Sequence, residues 1–125
     1  MHIVSCLPYT VLLIDEQGRS TYFGAVASSR AAHLVGRQAE AISARGGVRT
    51  LLAQRVEIIN LPDPKDGVVY LVDSGVALKG AESGRWDLVT VDPETLVPWP
   101  ENRGLIAYRG LLSYDGTPML WGAVG

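Results

Sequence analysis

The sequence contains few of the residues from which redox and metal sites are built. Cys6 is the only cysteine among 125 residues, so no disulfide can form within the chain. There are two histidines, His2 and His33, and neither lies at ligand spacing from another candidate. We therefore predict no metal site and no cofactor. Cys6 itself lies in an apolar stretch and is expected to pack as a small core side chain.

Sequence signatures of the common catalytic classes are also missing. There is no Gly-x-Ser-x-Gly turn to present a nucleophile. The pair Gly46-Gly47 lacks the Lys-Ser or Lys-Thr that follows a phosphate-binding loop. The closely spaced carboxylates all fall in predicted turns, where aspartate is favoured because it bonds nearby backbone. We predict no catalytic residue, and an enzyme ranks third among the interpretations.

No run of 18 apolar residues is present, which argues against a membrane span. The first residues show no basic region followed by a long apolar stretch, so no signal peptide is predicted. With a single cysteine, these features indicate a protein of a reducing, cytoplasmic compartment. The net charge of −2 argues against an electrostatic drive towards nucleic acid or an anionic membrane.

One segment departs from this weakly acidic background. Residues 28–57 hold five arginines and two glutamates, a local charge of +3. The planar guanidinium group suits phosphate. Arg45, Arg49 and Arg55 are therefore the candidate ligands for an anion such as a phosphorylated nucleotide. The alternative interpretation is a solvated face on a half-buried strand.

The apolar pattern predicts mainly strands. Residues 9–14 and 19–23 flank a turn and indicate a hairpin. Residues 48–59 alternate as a half-buried strand does, and residues 68–72 form a continuous apolar run typical of a strand covered on both faces. Asp115-Gly116 predicts a last hairpin. Residues 73–79 predict a short helical turn ended by Gly80.

Residues 28–45 leave two alternatives open. Apolar residues recur there at helical spacing, a serine is available as a cap, and Gly46-Gly47 would end a helix. Gly36 would cost a helix about 1 kcal/mol relative to alanine, which favours an irregular pair of strands instead. The whole chain of 125 residues fits one domain. The predicted fold is a single compact β-rich domain, a largely antiparallel sheet or partly open barrel with one or two short helices.

The connection between the strands ending near Ile59 and beginning at Val68 is the most distinctive piece of the chain. Pro62 and Pro64 fix their own φ angles and bias the residues before them towards extended geometry. Gly67 supplies a position that tolerates positive φ. We predict an ordered strand-to-strand connection that marks the fold and has no catalytic role.

Several stretches together resemble a group of small proteins of bacteria and their phages that has no assigned activity. Those proteins begin with a strand, a Leu-Thr-Pro-His-like corner and a second strand, and share a central Leu-Pro-x-Pro-x-x-Gly-Val-x-Tyr-x-Val signature. The matching parts here are residues 1–4, 7–9, 11–19, 61–72, 87–91 and 104–111. Tyr9 replaces the group's histidine, so no role of that histidine is carried over. The resemblance implies a β-rich domain and a phage or mobile-element setting, and no site residues.

The C-terminal part offers candidate contact residues. Trp99 lies between two prolines, and the tail that contains Met119, Leu120 and Trp121 is uncharged from residue 119 onwards. An apolar tail either packs on its own core or docks on another chain. The first functional interpretation is thus a non-catalytic binding protein of phage or mobile-element origin, in the host cytoplasm, that engages a host protein or assembles with itself. The second is a binder of an anionic small molecule.

Overall fold

The computed structural model describes residues 2–38, 54–97, 106–113 and 115–120. Short strands dominate these ranges, in agreement with the predicted β-rich class. The elements follow in the order β1 His2–Ser5, β2 Val11–Ile14, β3 Ser20–Phe23, β4 His33–Gln38, β5 Gln54–Ile59, β6 Val68–Leu71, α1 Ser74–Glu82, β7 Leu88–Val91, a 3-10 turn Pro93–Thr95, β8 Leu96–Val97, β9 Ile106–Tyr108, β10 Gly110–Leu112 and β11 Pro118–Leu120.

The strands form three sheets. A five-stranded sheet has the order β1-β6-β7-β10-β11, a four-stranded sheet the order β3-β2-β9-β8, and β4 pairs with β5 in a two-stranded ribbon. Most pairs within the described ranges are antiparallel, but β1-β6, β6-β7 and β2-β9 are parallel. No closed barrel forms among these strands. The helix α1 connects the parallel neighbours β6 and β7. Parallel strands need such a crossover connection because a tight turn cannot join them.

The main core lies between the two larger sheets. Alternate side chains of the strands meet there, since successive residues of a strand point to opposite faces. The buried members are Ile3, Leu7, Val11, Leu13, Val69, Leu71, Val89 and Leu111. The other face of the five-stranded sheet packs against α1 and the β4-β5 ribbon, where Tyr70, Val72 and Leu88 meet Val76 and Ala77. The strand β6 is thus covered on both faces, as its continuous apolar run predicts.

The helix begins as its sequence indicates but ends later. The Asp73 carboxylate caps it by accepting a hydrogen bond from the Val76 N–H at 2.8 Å. The prediction that Gly80 ends the helix is wrong, because α1 continues to Glu82. Gly80 is buried, and a Cβ built on it would collide with the Leu88 side chain. The glycine is therefore present for close approach of helix to sheet rather than as a stop signal.

Within the ambiguous segment, the described residues 28–32 contain a turn and residues 33–38 form a strand, with no helix among them. Residues 33–38 form β4, paired antiparallel with β5, so Gly36 carries no helix penalty. The turn before β4 is anchored from a distance: Asn60, with φ of 66°, donates from Nδ2 to the Ser29 carbonyl at 2.8 Å. Residues 39–45, and the part of the predicted strand at 48–53, lie outside the described residues.

The connection between β5 and β6 is ordered by long-range hydrogen bonds. The Tyr70 hydroxyl donates to the Asp63 carbonyl at 2.9 Å, and Arg85 Nη2 donates to the Pro62 carbonyl at 2.8 Å. Gly67 has a φ of 72°, the positive value predicted for it. The connection is therefore a fixed part of the fold, as its prolines and glycine indicate.

The N-terminal corner joins the two larger sheets. The Cys6 N–H bonds the Leu71 carbonyl at 2.9 Å, and the Leu7 carbonyl accepts from the Val26 N–H at 2.9 Å. Cys6 is 6% exposed, as expected of a core residue. Burial raises the pKa of the Cys6 thiol, with a smaller opposing effect of Arg85. A thiol with a raised pKa is a poor nucleophile, so Cys6 has a packing role.

Candidate functional site

The β10-β11 hairpin carries the features of this chain that are best placed to contact another molecule. Asp115 and Gly116 form its turn, as predicted, and Gly116 has a φ of 81°. The Ser113 N–H bonds the Thr117 carbonyl at 2.9 Å. Asp115 Oδ1 accepts from the Thr117 N–H at 3.0 Å and from the Ser113 hydroxyl. The turn is thus held together by its own polar side chains.

The outer edge of β11 is open among the described residues, because β11 stands last in its sheet and pairs only with β10 there. The Ser113–Thr117 bond identifies a hydrogen-bonded pair, and such pairs alternate along an antiparallel ladder. Leu111 and Met119 are therefore the next bonded pair. The Gly110 carbonyl supports this assignment, since it faces the other way and accepts from Asp92 N–H at 3.0 Å.

It follows that Pro118 and Leu120 direct their main-chain polar groups away from β10. Pro118 has no N–H to offer, which is how natural proteins often blunt an edge strand. Leu120 retains both its N–H and its carbonyl on that side. The edge is consequently protected at its first residue and open to pairing at its last.

The turn of the same hairpin also forms one wall of a cleft of about 360 Å³ against α1. Ser74 and Ala77 of α1, Thr90 of β7, and Ser113 and Asp115 of the hairpin border it. Hydrogen bonds from the Ser113 hydroxyl, and then from Thr117, lower the pKa of Asp115 to about 2. The cleft therefore carries a negative charge at any ordinary pH.

A second cleft of about 390 Å³ lies at the amino ends of β6 and β7, bordered by Pro64, Gly67, Arg85 and Trp86. Its arginine is already occupied. Arg85 donates from Nε and Nη2 to the two carboxylate oxygens of Asp87, each at 2.9 Å, besides its bond to Pro62. The hydrogen bond with Asp87 is the main cause that raises the pKa of Arg85. This arginine supports the β5-β6 connection.

Two of the predicted contact residues fall within the described hairpin. Met119 is half-buried and packs against the main core, so it anchors β11. Leu120 ends β11 at the open part of the edge. Trp99 and Trp121 lie outside the described residues.

The predicted anion ligands are described only in part. Arg55 lies in β5, directly opposite Arg37 of β4 in the ribbon register. Arg45 and Arg49 lie outside the described residues. In that register Arg55 faces an arginine that was not among the predicted ligands.

Sequence reasoning missed the cleft residues Ser74 and Thr90, and also Arg85. No local pattern could have found them, because they become neighbours of the hairpin or of the Pro62 loop only through the sheet order. Pro118 was detectable: a proline at the start of a hairpin strand indicates an edge position.

Other types of site find no support in the described part of the chain. Groups of three or more histidine, cysteine or acidic residues that could hold a metal are absent from it. No helix there is long and apolar enough to cross a membrane. Comparison with protein-family models, curated proteins and solved structures finds no match for this chain.

Proposed function

We propose that the protein is a non-catalytic binding protein of phage or mobile-element origin that assembles with a second copy of itself through the outer edge of β11. The observation that carries the proposal is the outward direction of the Leu120 main-chain groups. An open strand edge adds a further strand by main-chain hydrogen bonds, and a symmetric dimer satisfies both edges at once. The sequence from residue 119 onwards has no charged side chain, and charge is what usually prevents pairing of an exposed strand edge.

The test exploits the alternation along the ladder. In Leu120→Pro the lost N–H is the outward one, so the hydrogen bonds to β10 remain while the edge loses its donor. The intact protein should be dimeric by light scattering at micromolar concentrations. Leu120→Pro should be monomeric with a nearly unchanged melting temperature.

The matched control is Met119→Pro, which removes an inward N–H and should lower the melting temperature. A protein that is monomeric throughout the micromolar range, or a Leu120→Pro variant that stays dimeric, would overturn assembly through this edge. Engagement of a host protein would then be the remaining form of the binding interpretation.

A second candidate function is binding of an anionic small molecule such as a phosphorylated nucleotide. The observation that favours it is the opposed register of Arg37 and Arg55. Cross-strand partners share one face of a ribbon, and like charges directly opposite are unfavourable unless they are neutralised. A phosphate group has the charge and geometry to satisfy both guanidinium groups.

This candidate is tested by thermal stability with a panel of phosphate and nucleotides at millimolar concentration. A ligand that binds the folded state raises the melting temperature by mass action. The shift should disappear in an Arg37→Gln, Arg55→Gln double variant and persist in Arg30→Gln, which alters an exposed arginine outside the ribbon. No shift with any anion would leave a solvated face as the explanation of the arginine-rich segment.

A further inference from the structure

The cleft between α1 and the β10-β11 turn has the size and position of a small-molecule site. Its volume of about 360 Å³ is within the usual range for such sites. It lies beside the first residue of α1, near the carboxyl ends of the parallel strands β6 and β7. This is the end of a strand–helix–strand unit at which open parallel sheets commonly bind ligands.

Thr90 provides an independent sign of a ligand. It is only 7% exposed, yet it borders the cleft. Its hydroxyl makes no hydrogen bond to any residue within the described ranges, and in those ranges no fully enclosed side-chain oxygen lacks a partner. The Thr90 oxygen is therefore not fully enclosed. An unpartnered hydroxyl on a mostly buried residue that borders the cleft is placed to bond an occupant.

The charge of the cleft selects the kind of occupant. Among the described residues that border it, Asp115 is the only ionisable one, and it is ionised at any ordinary pH because Ser113 and Thr117 donate to its carboxylate. Asp73, at the N-cap of α1, adds a second carboxylate next to Ser74. An anionic ligand would be repelled here, whereas an ammonium group would be attracted.

The remaining described lining is apolar. Ala77, Leu78 and Leu112 also border the cleft. Leu78 is 68% exposed, so an occupant would remove much apolar surface from water. An aliphatic or aromatic body would pack on these side chains while its polar end contacts Asp115 and Thr90.

We propose that this cleft binds a small organic amine, with its ammonium group on Asp115, a hydrogen bond to the Thr90 hydroxyl and its apolar body against Leu78. This site is separate from the outer edge of β11 and from the β4-β5 ribbon. It does not depend on either proposed function.

The test compares three probes of nearly equal size and shape: phenethylamine, 2-phenylethanol and 3-phenylpropionate. They are added to the isotope-labelled, full-length protein and followed by backbone amide shifts of Leu78, Thr90 and Ser113. Phenethylamine should shift these amides at millimolar concentration, 2-phenylethanol should bind at least threefold more weakly, and 3-phenylpropionate should leave them unchanged.

Two variants distinguish the contacts. Asp115→Asn should weaken the amine at least threefold and leave the alcohol unchanged, because only the charge is lost. Thr90→Val keeps the shape of the buried side chain and should weaken both probes. Equal binding of amine and carboxylate, no shift with any probe, or unchanged amine binding in both variants would overturn the proposal. A melting temperature measured for each variant identifies any that fail to fold.

Discussion

Two connections in this molecule are built from the same turn-forming residues but are held in different ways. The β5-β6 connection, residues 60–67, is bonded to residues outside it, through Asn60 to Ser29 and through the side chains of Tyr70 and Arg85. The β10-β11 turn, residues 113–117, is held by its own Ser113, Asp115 and Thr117. Composition therefore predicts that a turn forms. The hydrogen-bond partners of the turn decide whether it is a fixed structural connection or a surface available for binding.

The largest expected effect is at Arg85. Arg85→Ala removes the paired bonds to Asp87 and the bond to the Pro62 carbonyl, and both charged side chains are mostly buried, at 19% and 18% exposure. We expect a loss of about 2–3 kcal/mol in the free energy of unfolding by denaturant. Arg19→Ala is the matched control, since Arg19 also pairs with an aspartate but its side chain is 76% exposed. Arg19→Ala should change stability far less. Equal effects of the two substitutions would show that the buried Arg85 contacts do not stabilise the β5-β6 connection.

Gly67→Val should destabilise the protein by about 1–3 kcal/mol, because a β-branched side chain is strained at positive φ. No atom lies within 4 Å of a Cβ built there, so the cost is backbone strain alone. Gly116→Val is equally strained and equally free of contacts. The two thermal melts should therefore shift alike, which would show that the difference between the connections lies in anchoring. A melting midpoint unchanged in Gly67→Val would refute the structural role of this glycine.

Tyr70→Phe removes the hydrogen bond from the hydroxyl to the Asp63 carbonyl and leaves the buried ring in place. The expected loss is about 1 kcal/mol, typical of a single hydrogen bond. Tyr22→Phe, at a side chain 62% exposed, should have no measurable effect by chemical denaturation. If Tyr70→Phe also leaves stability unchanged, the hydroxyl does not anchor the connection.

The smallest effect concerns pH at the β10-β11 turn. Hydrogen bonds lower the pKa of Asp115 from its ordinary 3.8 to about 2 in the folded protein. The stabilisation this carboxylate gives is therefore complete above about pH 4 and is lost as the pH falls towards 2. A carboxyl titration followed by NMR should show a midpoint near 2 for Asp115, and Ser113→Ala should raise it. A midpoint near 3.8 in the intact protein would mean that the turn is not held by its own side chains.

Local sequence signals predicted the elements that depend on neighbours along the chain. The β2-β3 and β10-β11 hairpins follow from apolar runs around Gly-containing turns, and the cap at Asp73 follows from its side-chain chemistry. The prediction for Gly80 was wrong because the sequence does not distinguish a glycine that ends a helix from one that lets a helix approach a sheet. The distinction depends on Leu88, which follows in the next strand.

For the candidate site, the sequence shows the uncharged stretch that begins at Met119. That β11 has an open edge is known only from the order of the strands in the sheet. Residue order alone determined the β-rich class, the turns and the strand β6 covered on both faces, since alternation, proline and glycine act through local backbone geometry. Tertiary structure decided the parallel pairing of β1, β6 and β7, the position of β11 at an edge, and the meeting of Thr90 with Ser74 and Asp115. These depend on contacts between residues far apart in the chain, which no local pattern specifies.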